Sequence, residues 1–121
     1  MRVLIVDDSK TMRKIERSVL VKLGYEDIEE AVNGQDAMSK VAAFKPDLIL
    51  LDWNMPIMDG ITFLRNLRAK DTATRVIMVT TESEKSRVIE AIKAGVNNYA
   101  VKPFTPDSIS KIIETTMANA A

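Results

Sequence analysis

Residues Val3–Val6, Leu48–Leu51 and Val76–Val79 are three unbroken runs of four apolar residues, and each stops on a polar side chain, Asp7, Asp52 or Thr80. Runs this short and this apolar suit strands buried on both faces, as in a parallel sheet covered by helices on each side. Weaker runs lie near Ile28–Val32 and Tyr99–Val101. Between the runs, apolar residues recur at helical spacing. In the first helix Met12, Ile15, Val19, Leu20 and Leu23 are assigned to one buried face, with Ser9 as its cap and Gly24 as its left-handed stop. The fifth helix opens on Thr105, Pro106 and Asp107, a cap, a first-turn proline and a first-turn acid, and then repeats Ile109, Ile112, Ile113 and Met117. Asn33 and Gly95 punctuate the middle of the chain in the same way. Strict alternation of five strands and five helices, with short connections, implies an α/β fold with a parallel sheet, because parallel neighbours need crossover connections.

The length of 121 residues suits one domain, 1–121, with no room for a second. Seventeen basic and seventeen acidic residues cancel, so no net field draws the chain to nucleic acid or to an anionic membrane, and neither is expected as a partner. No apolar run approaches the roughly 20 residues of a spanning helix, and the opening MRVLIVDD runs straight into a strand. A soluble, cytoplasmic monomer is the expectation. The chain has neither cysteine nor histidine, which removes disulfides, thiol nucleophiles, serine–histidine triads and histidine-bearing zinc sites. Carboxylates, hydroxyls and lysine are left to carry any chemistry.

Those groups fall at strand ends: Asp7 and Asp8 after the first strand, Asp52 after the third, Thr80 and Thr81 at the fourth, and Lys102 after the fifth. In a parallel sheet all the carboxyl ends lie along one edge, where open α/β sheets bind their ligands. Two carboxylates about 4 Å apart repel by roughly 4 kcal/mol at an effective dielectric near 20, so three together call for a cation. With only oxygen donors on offer, Mg²⁺ or Mn²⁺ is favoured over zinc or copper. A site of this kind suits a phosphoryl group. The metal and Lys102 would neutralise its oxygens, the Thr80 hydroxyl would donate to one of them, and a carboxylate would attack to give an aspartyl phosphate. Asp52 is the best nucleophile, since it stands alone on the central strand while Asp7 and Asp8 form a paired clamp.

The acid pair at 7 and 8, DWNMPIMDG from Asp52 to Gly60, the threonines at 80 and 81, and YAVKPF from Tyr99 to Phe104 together resemble the receiver domain of bacterial two-component response regulators, over the whole chain. SKTMRK after the acid pair, the DWNMP segment and the end of the chain soon after the fifth helix resemble the stand-alone chemotaxis members of that family. The resemblance implies a flavodoxin-like sheet of order 2-1-3-4-5 flanked by five helices. It also implies roles: Asp52 as phosphoacceptor; Asp8 holding Mg²⁺ directly and Asp7 through water, with Asp52 and the Asn54 carbonyl; and Lys102 pairing with the phosphoryl group. Thr80 and Tyr99 would act as the switch, carrying the change to a surface of helix four, strand five and helix five. Asn54 and Glu82 would tune hydrolysis, and the bond from Lys102 to Pro103 would be cis. A sensor histidine kinase (CheA-like) would be the phosphodonor. The flagellar motor switch or another protein would be the target, and a phosphatase a further partner. Thr81 departs from the smaller residue common at its position, which bears on access to the site.

Other classes fit less well. An aspartate-based small-molecule phosphatase keeps its nucleophile in a D-x-D pattern after the first strand under an inserted cap domain; here the acids are adjacent and no insertion exists. A flavin- or nucleotide-binding module needs a phosphate loop after the first strand, yet the four glycines are scattered at 24, 34, 60 and 95. A receiver used only as a scaffold, or serving another phosphorelay, stays open. Trp53, Met55 and Met58 are assigned to loop packing, and Glu82, Glu84, Lys85 and Arg87 to the solvated face of helix four.

Overall fold

The computed structural model describes residues 1–118. Its elements alternate without exception: β1 (Arg2–Val6), α1 (Lys10–Lys22), β2 (Asp27–Ala31), α2 (Gly34–Phe44), β3 (Leu48–Leu51), α3 (Gly60–Arg68), β4 (Arg75–Thr80), α4 (Lys85–Ala94), β5 (Asn98–Val101) and α5 (Pro106–Ala118). All neighbouring strands pair in parallel, in the order β2-β1-β3-β4-β5. The apolar runs therefore occupy the three central strands, where both faces are covered.

Alternate residues of those strands feed two cores. Leu4, Val6, Ile49, Leu51, Val76 and Met78 meet Phe63, Leu64 and Leu67 of α3 together with Ala37 and Ala91. Val3, Ile5, Leu48, Leu50, Ile77 and Val79 meet Val19 and Leu20 of α1 and Ile109 and Ile113 of α5 on the opposite face. Each such side chain contributes about 1.5–3 kcal/mol when fully buried, so the strand segments nearest the functional edge are held firmly.

Helix ends follow their local sequence. The Ser9 hydroxyl accepts from the Met12 amide at 3.2 Å, and the Asn33 side chain accepts from Asp36 at 2.8 Å. At α5, Thr105 and Ser108 exchange side-chain-to-backbone hydrogen bonds at 3.0 and 3.1 Å, a reciprocal cap. Gly24 and Gly95 adopt the left-handed conformation expected of helix stops. The bond from Lys102 to Pro103 is cis.

The inward face of α1 differs from the sequence expectation. Ile15 is 39 % exposed, whereas Glu16 is buried at 2 % with Val19 and Leu20. The helix is rotated so that positions 12, 16, 19, 20 and 23 face the protein, and Ile15 falls on the rim beside Pro103 and Phe104. One acid thus occupies a place where helical period alone would put an aliphatic residue.

The loop from Asp52 to Gly60 folds back tightly on itself. The Gly60 amide donates to the Trp53 carbonyl at 2.8 Å, and a Cβ at Gly60 would collide with the Asp52 carbonyl oxygen. Ile57 holds φ at 71° while 78 % exposed, an expensive conformation for a β-branched residue that buries little in return. Two opposite outcomes are expected in urea unfolding. Gly60→Ala lowers stability by about 1–3 kcal/mol, the usual cost of overpacking, and displaces the loop. Ile57→Asn raises it by about 1 kcal/mol, because asparagine tolerates the left-handed region.

Candidate phosphoryl and cation site

Backbone hydrogen bonds continue the sheet just past the strand ends and so fix where the functional side chains emerge. Asp7 donates its amide to Ala31 at 3.1 Å, Asp52 to Val6 at 2.9 Å and Lys102 to Thr80 at 2.8 Å. Three residues far apart in sequence are thereby anchored along one edge. Carboxylate oxygens of Asp7, Asp8 and Asp52 come within 4.8 Å of one another. Asp7 and Asp52 are buried, at 1 % and 8 %, while Asp8 is exposed at the mouth.

The Lys102 ammonium lies between the two buried acids, 2.7 Å from Asp7 and 3.3 Å from Asp52. Burial works against its charge, but the Asp7 hydrogen bond and the fields of Asp52 and Asp7 outweigh it and hold Lys102 above the ordinary lysine value. Burial also pushes the Asp52 carboxyl up. Lys102 pulls it back, Asp7 pushes it further, and the Thr80 hydroxyl lowers it, with Asp52 left above the usual carboxylate range. Repulsion between the acids is therefore only partly relieved by the one ammonium. The donor set consists of carboxylate oxygens at mixed exposure, which fits a hard divalent cation such as Mg²⁺ that keeps part of its water shell.

The remaining expected residues are joined through Glu82. Its amide donates to the Thr80 hydroxyl at 3.3 Å, its carboxylate accepts from the Asn54 side chain at 3.2 Å, and its carbonyl accepts from the Tyr99 hydroxyl. Burial and the Glu82 charge push the Tyr99 phenol up to about 12, so it is a permanent donor there. Trp53 is buried at 3 %, with the Arg87 guanidinium 5.3 Å above its ring, and Met55 and Met58 pack against the α2–α3–α4 core as expected. Thr81 is exposed and lines a largely apolar recess with Met12, Ile15, Lys102, Pro103 and Phe104.

Two features escape a reading of the sequence. Glu30 of β2 accepts Arg13 at 2.9 Å and Arg17 at 2.8 Å, and Arg13 also donates to the Asp7 carbonyl at 2.8 Å, which ties α1 to the cluster. Glu16 is the second. Its Oε2 is the one buried side-chain polar atom without a hydrogen-bond partner among the described residues. Burial, with Asp7, raises its carboxyl from an ordinary value of 4.5 to about 8; Lys102 opposes this, while Asp52 and Glu30 add to it. The signal available in the sequence was an acid four residues after Met12 and three before Val19, inside an apolar stripe.

The chain matches the model of the response regulator receiver domain over residues 3–114 and belongs to that family. It is a signalling protein of the two-component class, as opposed to a metabolic enzyme. Among curated proteins it is 46 % identical over 120 residues to the chemotaxis protein CheY1 of Helicobacter pylori, covering 97 % of each chain. It is 43 % identical to the chemotaxis protein CheY homolog of Campylobacter jejuni, covering 100 % of this chain and 95 % of that one. Among solved structures, Vibrio cholerae CheY4 superposes with a TM-score of 0.88 at 32 % identity, covering 95 % of this chain and 97 % of that one. The receiver domain of Thermotoga maritima CheB gives 0.83 at 31 %, covering 99 % and 95 %. Among the described residues no helix is long and apolar enough to cross a membrane.

Glu16 gives the site a pH signature. Between pH 4.5 and about 8 the folded chain keeps a proton that the unfolded chain has released, so stability falls as pH rises through that window. The expected slope is on the order of 1 kcal/mol per pH unit from this group. Urea unfolding in a chelator across the window, for the wild type and Glu16→Gln, is expected to show that slope in the wild type and a flatter profile in the variant.

Proposed function

We propose that the protein is a phosphorylation-activated chemotaxis switch that takes a phosphoryl group onto Asp52 from a phosphohistidine of a CheA-like sensor histidine kinase. The single observation that carries this reading is the meeting of the Asp7, Asp8 and Asp52 oxygens within 4.8 Å, with the Lys102 ammonium 2.7 and 3.3 Å from two of them. Near-full-length similarity to relatives named for chemotaxis supports the setting.

Asp7, Asp8 and Asp52, with the Asn54 backbone carbonyl, would hold Mg²⁺, which would supply charge neutralisation to the acids and the phosphoryl oxygens. An Asp52 carboxylate oxygen attacks the phosphorus; an O–P bond forms, the P–N bond breaks, and its electron pair returns to the imidazole nitrogen. Lys102 offers its ammonium to the transferred group, and Thr80 donates its hydroxyl to it. Water later attacks the same phosphorus and restores the Asp52 carboxylate, with inorganic phosphate as the product. Asn54 and Glu82, hydrogen-bonded to each other at 3.2 Å, flank the path of that water and set the lifetime of the phosphorylated state.

The switch follows from how Thr80 is engaged. Its hydroxyl holds the Glu82 amide at rest, and the Glu82 carbonyl holds Tyr99. Once Thr80 turns to the phosphoryl group, the Glu82 segment loses that anchor and Tyr99 moves with it. Ile89 and Ile92 of α4 and Val101 of β5 are exposed on the surface that changes. The flagellar motor switch is the proposed target, and a phosphatase the partner that shortens the signal. The same residues would serve another phosphorelay through a different protein contact.

Incubation with Mg²⁺ and either acetyl phosphate or beryllofluoride is expected to change Trp53 fluorescence, and acetyl phosphate to add one phosphoryl group by mass. Both responses are lost in Asp52→Asn. A wild type that is silent in both assays would leave the chain a scaffold receiver.

A further inference from the structure

Glu16 has no part in the chemistry above, yet it is a buried acid within reach of the cluster's charges. Its side chain is 2 % exposed and one carboxyl oxygen lacks any partner. Asp7, Asp52 and Lys102 all act on it electrostatically, and it acts in turn on Lys102. Glu30, which could have competed for the same cation, is already held by Arg13 and Arg17. The cluster thus has a fourth carboxyl in its field, carried by α1 and sealed from solvent.

We propose that Glu16 is a positioning residue for Lys102, providing the buried acceptor to which the ammonium turns when a divalent cation takes over Asp7 and Asp52. The inference rests on the cation site proposed above. An ammonium has three donors; Lys102 donates one of them to Asp7 at 2.7 Å and faces Asp52 as an ion pair at 3.3 Å. A doubly charged ion held at this cluster would compete for the acids' charge and repel the ammonium. Without another acceptor Lys102 has to stay and oppose the ion or lose its hydrogen bond inside a half-buried site. Glu16 supplies that acceptor from α1. It keeps Lys102 within the cluster, charged and ready for a phosphoryl oxygen. The unpartnered oxygen of the resting state is then a place kept for the ligated state, which accounts for an acid at a position where an aliphatic side chain would pack at lower cost.

Three proteins separate this role from a structural one: the wild type, Glu16→Gln, which keeps an acceptor carbonyl, and Glu16→Leu, which keeps the volume alone. Mg²⁺ is titrated without phosphodonor, read by Trp53 fluorescence, and urea unfolding is followed in a chelator. In Glu16→Leu the urea midpoint is expected to rise while Mg²⁺ affinity falls by about tenfold, the worth of one charge-assisted hydrogen bond. Glu16→Gln is expected to bind Mg²⁺ within about threefold of the wild type, because its carbonyl still accepts. A residue with a purely structural role would not lower binding while raising stability. Wild-type Mg²⁺ affinity in Glu16→Leu, or a loss in Glu16→Gln as large as in Glu16→Leu, overturns the inference. A wild type that does not respond to Mg²⁺ overturns the cation site itself instead.

Discussion

Like charges brought together at the end of a sheet govern this molecule. Parallel pairing anchors Asp7, Asp52 and Lys102 by backbone hydrogen bonds of 3.1, 2.9 and 2.8 Å, so the acids cannot drift apart to relieve their repulsion. Two of them are almost fully buried, which strengthens the repulsion further. One ammonium shared between them offsets part of it. The balance leaves Asp52 and Glu16 holding protons more tightly than ordinary carboxyls, an imbalance that a divalent cation would relieve.

The surrounding backbone is shaped to keep that arrangement in place. Gly60 lets the chain after Asp52 pass so close to the Asp52 carbonyl that no other residue fits, and its amide closes the loop on Trp53. Trp53 is pinned from the other side by the Arg87 guanidinium at 5.3 Å. Arg13 grips the Asp7 carbonyl while its guanidinium also engages Glu30. The Asp52–Gly60 loop, the start of α4 and the start of α1 are therefore each tied to the cluster by a specific contact, and a charge change at Asp52 would have short routes to the surface.

Much of this was legible in the residues themselves. Four-residue apolar runs ending on polar groups located the three central strands to within a residue, because strands buried on both faces leave no other pattern. The meeting of Asp7, Asp8, Asp52 and Lys102 followed from topology once the strands were parallel. Glu16 was not legible, since helical period finds a stripe but does not fix its rotation by one position, and an acid is ordinarily assigned to solvent. Nor were the Arg13–Glu30–Arg17 bridge and the stacking of Arg87 on Trp53. Long side chains reach partners that spacing along one element cannot identify. The αL conformation of Ile57 was hidden for the opposite reason: an isoleucine there contradicts local preference, and only the closure of the Asp52–Gly60 loop imposes it.

Three of these departures from local preference border the acids, while the left-handed Lys45 that ends α2 lies before β3. The buried, unpaired Glu16 oxygen, the strained Ile57 and the raised Asp52 lie within the loops and the helix that border the acids, while the two cores beneath them pack without exception. Such an edge suits the two-state switch proposed above. If the resting edge were as well satisfied as the core, a phosphoryl group would have little differential free energy with which to move it, since a ligand shifts an equilibrium only by its preference for one state. Moving a population from 1:99 to 99:1 takes about 5.5 kcal/mol, which is comparable with the sum of a few unsatisfied groups of this kind. In the proposed switch the firm cores would confine the change to the loops and to the α4–β5 surface, and the unrelieved charge at the edge would supply the bias that a cation and a phosphoryl group draw on.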